Sequence, residues 1–271
     1  RQRQMCIRDS LKLMSSKDVR WAARRRAAGV QHVVSCTRIR PTASTRSALK
    51  EARPMSIRAT LKAFFTTGKG VVRGLTEEEA GTDPFILFDR WFREAREAGL
   101  YLPESMALAT STADGKPSVR QVLLKAADDR GFVFYTNYDS RKGLEIAENP
   151  YGALAIHWPI LQRQVRINGA VEKTSTEESQ AYFDSRPRGS RIGAWASDQS
   201  SVLRGRNELE RKFRETQARF SSGDVPLPEF WGGYRVIPET IEFWQGRANR
   251  LHDRLRFTRD GSGWTIDRLY P

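Results

Sequence analysis

The sequence predicts a single α+β domain built on an antiparallel β-barrel, and three observations carry that expectation. Short runs rich in β-branched and aromatic residues recur along the chain, parted by turn signals such as "ADGKP", "DDRG" and "RDGSG". Helical patterns are inserted between groups of these runs instead of alternating with each one, which favours antiparallel strands over parallel βαβ units. No run is followed by G-x-G-x-x-G, which argues against a Rossmann dinucleotide domain.

The charge does not belong to that domain. Of the net +14 over 271 residues, residues 1–54 carry +11, from 11 Arg and 3 Lys against 2 Asp and 1 Glu. Residues 55–271 hold 32 basic and 29 acidic residues, so the high pI says little about the partners of the domain. Both cysteines, Cys6 and Cys36, also fall in the first segment, which excludes a disulfide framework or cysteine metal site from the rest. Segment 1–54 reads as non-native or upstream sequence, as a targeting segment or as a basic arm, and Met55 in "RPMSIRATLKAFF" is the expected start. No apolar run approaches the ~18 residues of a membrane span. The expected location is the cytoplasm, or an organelle if residues 1–54 are a transit peptide.

Element by element, "GTDPFILFDRWFREAREAGL" predicts a helix with Asp83 as N-cap, Pro84 in the first turn and Gly99 closing it. Phe85, Phe88, Trp91, Phe92 and Ala95 form its expected buried stripe. Strands over 105–112, 118–126 and 132–137 follow as a β-meander. "DSRKGLEIAENP" predicts a short helix capped by Ser140 and stopped at Asn149-Pro150. Strands at 151–158 and 163–174 flank "PILQ"; helices are expected at 175–184, about 189–196 and 206–220. Strands return in "GGYRVIPETIEFWQG", "NRLHDRLRFTR" and "GWTIDRLYP".

Several stretches carry chemistry. Read as a strand, "NRLHDRLRF" places Arg250, His252, Arg254 and Arg256 on one face and Leu251, Asp253, Leu255 and Phe257 on the other. That face is either a solvated basic edge or an anion pocket. In "SRKG", Arg141 and Lys142 stand in the first turn of a helix, where the macrodipole disfavours cations but an anion would be held strongly. "FDSRPRGSR" gathers Arg186, Arg188 and Arg191 with Ser185 and Ser190, which is phosphate-binding chemistry on a loop or a basic surface. Arg120 and Lys125 bracket the apolar "RQVLLK", and Gln164 offers an amide to a heterocycle edge. Three scattered histidines make no metal site, no G-x-S-x-G elbow supports a serine triad, and basic and aromatic residues interleave too sparsely for a nucleic-acid platform.

Taken in order, "RQVLLK", "FYTNYDSRKG", "RQVRINGAV", "YFDSRPRGSRIGAWASDQSS", "FWGGYRV" and "EFWQGRANRLHDR" resemble the FMN-dependent pyridoxine/pyridoxamine 5′-phosphate oxidases, over some 190 residues from about 83 to Pro271. The resemblance implies an FMN-binding split β-barrel over 83–271, with a lid or arm over 55–82. It implies a homodimer with FMN at the interface, and oxidation of pyridoxine or pyridoxamine 5′-phosphate to pyridoxal 5′-phosphate. Dioxygen would be reduced to hydrogen peroxide, after hydride transfer from substrate C4′ to flavin N5.

The resemblance also implies roles. Arg120, Gln121, Val122, Leu123, Tyr135, Thr136, Arg141, Lys142, Gln164, Gln199, Ser200, Trp244 and Arg254 would contact FMN. Lys125, Tyr182, Arg186 and Ser190 would hold the substrate phosphate, with Arg250 and His252 beside the pyridine ring as the catalytic pair. No metal is implied. The family's N-terminal R-x-x-Y is missing from "LKAFFTTGKGVVRGL", so no lid contact is carried over. Competing readings are another split-barrel flavoprotein, a non-enzymatic pyridoxal phosphate or flavin carrier, and a nucleic-acid binder acting through the basic segment.

Overall fold

The computed structural model describes residues 74–271; the basic segment 1–54, the start at Met55 and the arm up to residue 73 lie outside the described residues. We label the helices α1 (Glu77–Ala80), α2 (Pro84–Glu97), α3 (Arg141–Glu148), α4 (Thr176–Ser185), α5 (Arg188–Ala196) and α6 (Arg206–Arg219). The strands are β1 (Ser105–Ser111), β2 (Pro117–Leu123), β3 (Ala126–Asp128), β4 (Gly131–Asn137), β5 (Tyr151–Trp158), β6 (Arg163–Lys173), β7 (Trp231–Gln245), β8 (Asp253–Asp260) and β9 (Gly263–Arg268).

All nine strands belong to one antiparallel sheet, ordered β2-β1-β5-β6-β7-β4-β3, with β8 also pairing β7 and β9 pairing β8. The expected strand over 118–126 is in fact two strands. Up to Leu123 the chain pairs with β1, and the Leu124 N–H still donates to Glu104 O at 2.9 Å. The next N–H, of Lys125, donates to Val133 O of β4 at 2.8 Å. A change of partner within two residues joins the two ends of the strand path and curls the sheet into a barrel. The meander is corrected accordingly: β1–β2 and β3–β4 are hairpins, but β4 takes β7 as its other neighbour.

Inward side chains of the strands make the core, with Phe132, Phe134, Ile156, Val165, Ile167, Val236, Ile241, Phe243, Leu255 and Phe257 buried. Helix α2 covers it. Asp83 caps the helix by accepting from the Phe85 N–H at 2.8 Å, and Gly99 leaves it at φ 72°. Its buried residues include Leu87, Phe88, Trp91 and Ala95, while Phe85 and Phe92 from the expected stripe are only partly buried. Phe88 meets Phe132 edge-on at 5.0 Å and Trp91 meets Phe243 at 5.3 Å. Pro238 lies within the long central strand β7, a position sheets tolerate at bulges; the register with β6 shifts there, between Asn168 and Gly169.

The C-terminal basic run also needs correction. β8 begins only at Asp253, opposite Gln245, the last residue of β7, so residues 246–252 have no strand to pair with. Ala248–Arg250 form a 3₁₀ turn, with Asn249 at φ 58° and Arg250 at φ 61°. Arg250 and His252 therefore do not share a strand face with Arg254 and Arg256. From Asp253 onward the alternation holds, with Leu255 and Phe257 buried.

The described end of the expected arm is fastened to these strands. The Leu75 N–H donates to Asp253 Oδ2 at 3.1 Å, and Arg268 donates to both carboxylate oxygens of Glu77 at 2.8 Å.

Candidate active site

A cleft of about 540 Å³ opens between β2, β4 and the helical insertion α4–α5. Gln121, Val122 and Leu123 of β2 form one wall, Tyr135 and Thr136 of β4 the floor, and Lys125 stands where the chain changes partner. Lys142 of α3 is at one end; Tyr182, Arg186 and Ser190 are at the other. A recess of about 400 Å³ adjoins it, lined by Ser118, Arg120, Arg141 and Ser200 and sharing Gln121, Lys142 and Gln199 with the cleft.

The α3 end is organised around buried charge. Ser140 caps α3, accepting from the Gly143 N–H, and α3 lies so close to the preceding turn that a Cβ at Gly143 would overlap the Tyr138 carbonyl. Lys142 is 7% exposed, and its ammonium donates to Thr136 Oγ1 and Ser140 Oγ at 2.9 Å and to Gln199 Oε1 at 3.0 Å. Burial, with the charge of Arg120 adding to it and Glu145 opposing, pulls the Lys142 pKa down to about 8. Glu145, 3% exposed, accepts from Thr110, Ser118, Arg120 (3.1 Å) and Arg141 (2.8 Å). Burial pushes its carboxyl up, but the hydrogen bonds from Ser118, Thr110, Arg141 and Arg120 outweigh that and hold it at about 2.

The opposite end is aromatic and cationic. Tyr182 stacks on Tyr135 at 4.0 Å, Tyr135 on Trp231 at 5.6 Å, and the Arg186 guanidinium lies 4.7 Å from the Trp231 ring centroid. Lys125 Nζ is 5.7 Å from the Tyr182 ring centroid. Arg186 Nη1 is buried without a hydrogen-bond partner, and burial lowers the pKa of the group. Its neighbour Arg188 is engaged elsewhere, donating to the carbonyls of Gly223 (2.8 Å) and Phe220.

The remaining expected residues do not line the cleft of their own chain. Gln164, Trp244 and Arg254 lie directly opposite one another across β6, β7 and β8. His252 joins them, its ring 4.6 Å from that of Trp244, and its Nδ1 accepts from the Arg247 N–H at 3.1 Å. Arg254 donates to Glu242 Oε1 and to Tyr270 O, both at 2.8 Å. Arg250 is exposed on the 3₁₀ turn beside this row. One chain thus presents two separate groups of residues.

Two residues escaped the sequence reading. Glu145 was signalled by its i,i+4 spacing from Arg141, and Trp231 stood in "FWGGYRV" without a role. Among the described residues no group of three potential metal ligands occurs, and no helix is long and apolar enough to cross a membrane.

Curled antiparallel strands with peripheral helices and a cleft on the sheet edge define a split-barrel protein, and solved structures share that architecture. The PhzG protein of Burkholderia lata, solved with tetrahydrophenazine-1-carboxylic acid, is 33% identical, with TM-score 0.69 over 73% of this chain and 97% of that one. A pyridoxamine 5′-phosphate oxidase-related, FMN-binding protein of Nostoc punctiforme has the same fold at 14% identity, with TM-score 0.57 over 70% of this chain and 100% of that one.

Family models narrow the class: residues 92–220 match the pyridoxamine 5′-phosphate oxidase model and residues 231–271 the pyridoxine 5′-phosphate oxidase C-terminal dimerisation region. The pyridoxine/pyridoxamine 5′-phosphate oxidase of Psychromonas ingrahamii is 53% identical over 80% of this chain and 100% of its own length. That of Rubrobacter xylanophilus is 59% identical over 73% of this chain and 91% of its own. The chain belongs to the pyridoxine/pyridoxamine 5′-phosphate oxidase family.

Proposed function

We propose that the protein binds FMN and oxidises pyridoxamine 5′-phosphate or pyridoxine 5′-phosphate to pyridoxal 5′-phosphate. Dioxygen is reduced to hydrogen peroxide, and the amine substrate takes up water and releases ammonia. The observation that carries this reading is a single cleft with a cationic seat at each end, as two phosphorylated ring compounds lying together require. The residues fit both. Buried Lys142 and exposed Arg141 in the first turn of α3, with Arg120 of β2 beside them, suit the cofactor phosphate. The unpartnered Arg186 Nη1 suits a second anion, with Lys125, Tyr182 and Ser190 around it.

FMN, when bound, supplies the hydride acceptor at N5, so the protein has to position and tune. Gln121, Val122 and Leu123 would offer a strand wall to the flavin ring, and Lys142, its ammonium held by Thr136 and Gln199, would meet the flavin phosphate. Tyr182, Arg186, Ser190 and Lys125 fix the far end of the substrate, which presents its C4′ in register. Arg250 holds the pyridine ring in place, which supplies proximity for the transfer. His252, kept in one orientation by the Arg247 N–H, orients the substrate and handles a proton there.

Those last two residues, with Gln164, Trp244 and Arg254, come from a second copy of the chain in a homodimer. The reading is supported by their place outside the cleft of their own chain and by the match of residues 231–271 to a dimerisation region.

The test begins with the purified full chain: a bound-flavin spectrum, and peroxide release with each phosphorylated vitamer. No flavin, or no peroxide with either vitamer, refutes the activity. Arg186→Ala and Arg250→Ala are then mixed and re-paired, and assayed at substrate well below the raised KM of Arg186→Ala, where each alone is nearly inactive. Recovery of about a quarter of wild-type activity is expected from two-fold statistics; no recovery places both residues in one chain's site.

A further inference from the structure

Helix α4, which carries Tyr182 and ends at Arg186, rests on four residues of β7, "GGYR" at 232–235. There is no room there for side chains on the glycines. A Cβ at Gly232 would overlap the Tyr138 hydroxyl, and one at Gly233 would lie 2.8 Å from the Tyr135 ring. The Gly233 N–H donates to Ser179 Oγ of α4 at 3.2 Å.

Two residues further on, Arg235 is only 4% exposed. It donates to Asp128 Oδ1 at 2.8 Å and to Glu178 Oε1 at 2.9 Å. Arg130 pairs with the same two carboxylates, at 2.9 and 3.0 Å. Glu178 closes a capping box with Ser175 in the first turn of α4, and its backbone carbonyl accepts from the Tyr135 hydroxyl at 3.3 Å. Tyr182 follows one turn later, stacked on Tyr135. Arg235 lines neither the cleft nor its recess, so direct ligand contact does not explain why a guanidinium is buried here.

We infer that Arg235, acting through Glu178 and Asp128, is a positioning residue for the substrate-phosphate seat. It fixes the first turn of α4 on the barrel, and with it the place where Tyr182 and Arg186 meet the phosphate. The leverage is geometric. α4 has ten residues and is about 15 Å long, so a tilt of roughly 4° at its first turn moves its last turn by about 1 Å. Displacements of that size are enough to spoil a charge-assisted clamp. The inference rests on reading the Tyr182–Arg186 end as the phosphate seat.

The test compares pyridoxamine 5′-phosphate with unphosphorylated pyridoxamine in the flavin-loaded full chain, for Arg235→Met, Arg235→Lys and Glu178→Gln. For Arg235→Met and Glu178→Gln, KM for the phosphorylated amine rises roughly tenfold. Turnover number, flavin content and kcat/KM for unphosphorylated pyridoxamine stay near wild type, so the preference for phosphate falls about tenfold. Arg235→Lys, which keeps a cation between the carboxylates, recovers part of that preference. An unchanged preference overturns the inference, as does a parallel loss of flavin, kcat and affinity for both amines, which would mark a purely structural role. Should Arg235→Met fail to fold, Glu178→Gln decides, since its side chain is 34% exposed and glutamine preserves the capping box. Arg186→Ala is the control on the underlying reading: if it leaves the preference intact, the phosphate seat itself is misplaced.

Discussion

The two cationic ends of the cleft are built on opposite plans. At the α3 end each cation already has protein acceptors: Arg120 and Arg141 share Glu145, and the Lys142 ammonium makes three hydrogen bonds. At the α4 end Arg186 keeps a buried Nη1 with no partner, and the Lys125 ammonium lies 5.7 Å from the Tyr182 ring centroid. A prebuilt seat needs little rearrangement to receive its anion and suits a cofactor that stays. An unpaired buried donor costs roughly 1–3 kcal/mol until an anion meets it. That cost makes the seat depend on its ligand, as suits a substrate that arrives and leaves.

Substitutions at the two ends test this contrast. The largest effect is expected for Glu145→Ala, which leaves Arg120 beside buried Lys142 with no counter-charge. A stability loss of about 3–5 kcal/mol in chemical denaturation is expected, with loss of flavin. The acid limb follows the same group. With its folded pKa held at about 2, Glu145 contributes stability that is complete above its ordinary value of 4.5 and is lost as pH falls towards 2. A loss below ~1 kcal/mol would mean that the α3 end is not organised by Glu145. Arg186→Ala comes next: KM for the phosphorylated substrates rises by about 10- to 100-fold while flavin content is unchanged. If flavin is lost instead, the assignment of the two ends is reversed.

A smaller effect comes from pH. Lys142 has its folded pKa lowered to about 8, so its charge fades as pH rises through 8. Flavin affinity then falls, by at most about tenfold per pH unit, as one linked proton allows. Stability of the flavin-free chain moves the other way, rising between about 8 and the unfolded value of 10.5, because the unfolded lysine still binds its proton there. Affinity flat from pH 7 to 10 would remove Lys142 from the flavin phosphate. The mildest change is Ser140→Ala, which removes the α3 cap and one acceptor of Lys142. About 1 kcal/mol of stability is expected to be lost, read from a thermal melt, with substrate KM unaltered.

Much of this architecture was legible in the sequence because local rules governed it. Asp83-Pro84 and Ser140 start helices where capping chemistry says they should, and the β1–β2 turn follows "ADGKP". The failures share a cause, which is partner choice at long range. Nothing local says that a continuous apolar run changes neighbours at Leu124–Lys125, since β4, which takes the run from Lys125 onward, is itself held on its other side by β7, a strand about a hundred residues later. "NRLHDRLRF" alternates as a strand would, but a strand needs something to pair with, and β7 stops at Gln245. The same limit applies to the site. That Arg141 and Lys142 stand in the first turn of a helix was readable from "SRKG", whereas Glu145 gathers its partners from β1, β2 and α3, a convergence that spacing along one segment does not encode.

Strand β7 has a further consequence, for the chain while it is being made. It supplies the neighbour of both β4 and β6, yet it is synthesised after the whole α4–α6 insertion. From the completion of β6 at Lys173 to that of β7 at Gln245, at ~5–20 residues per second, some 4 to 14 seconds pass. Throughout that interval two sheet edges stand open, and open edges recruit strands from other molecules. A nascent chain of this order needs shielding late in translation, and any fragment ending before Trp231 is expected to aggregate.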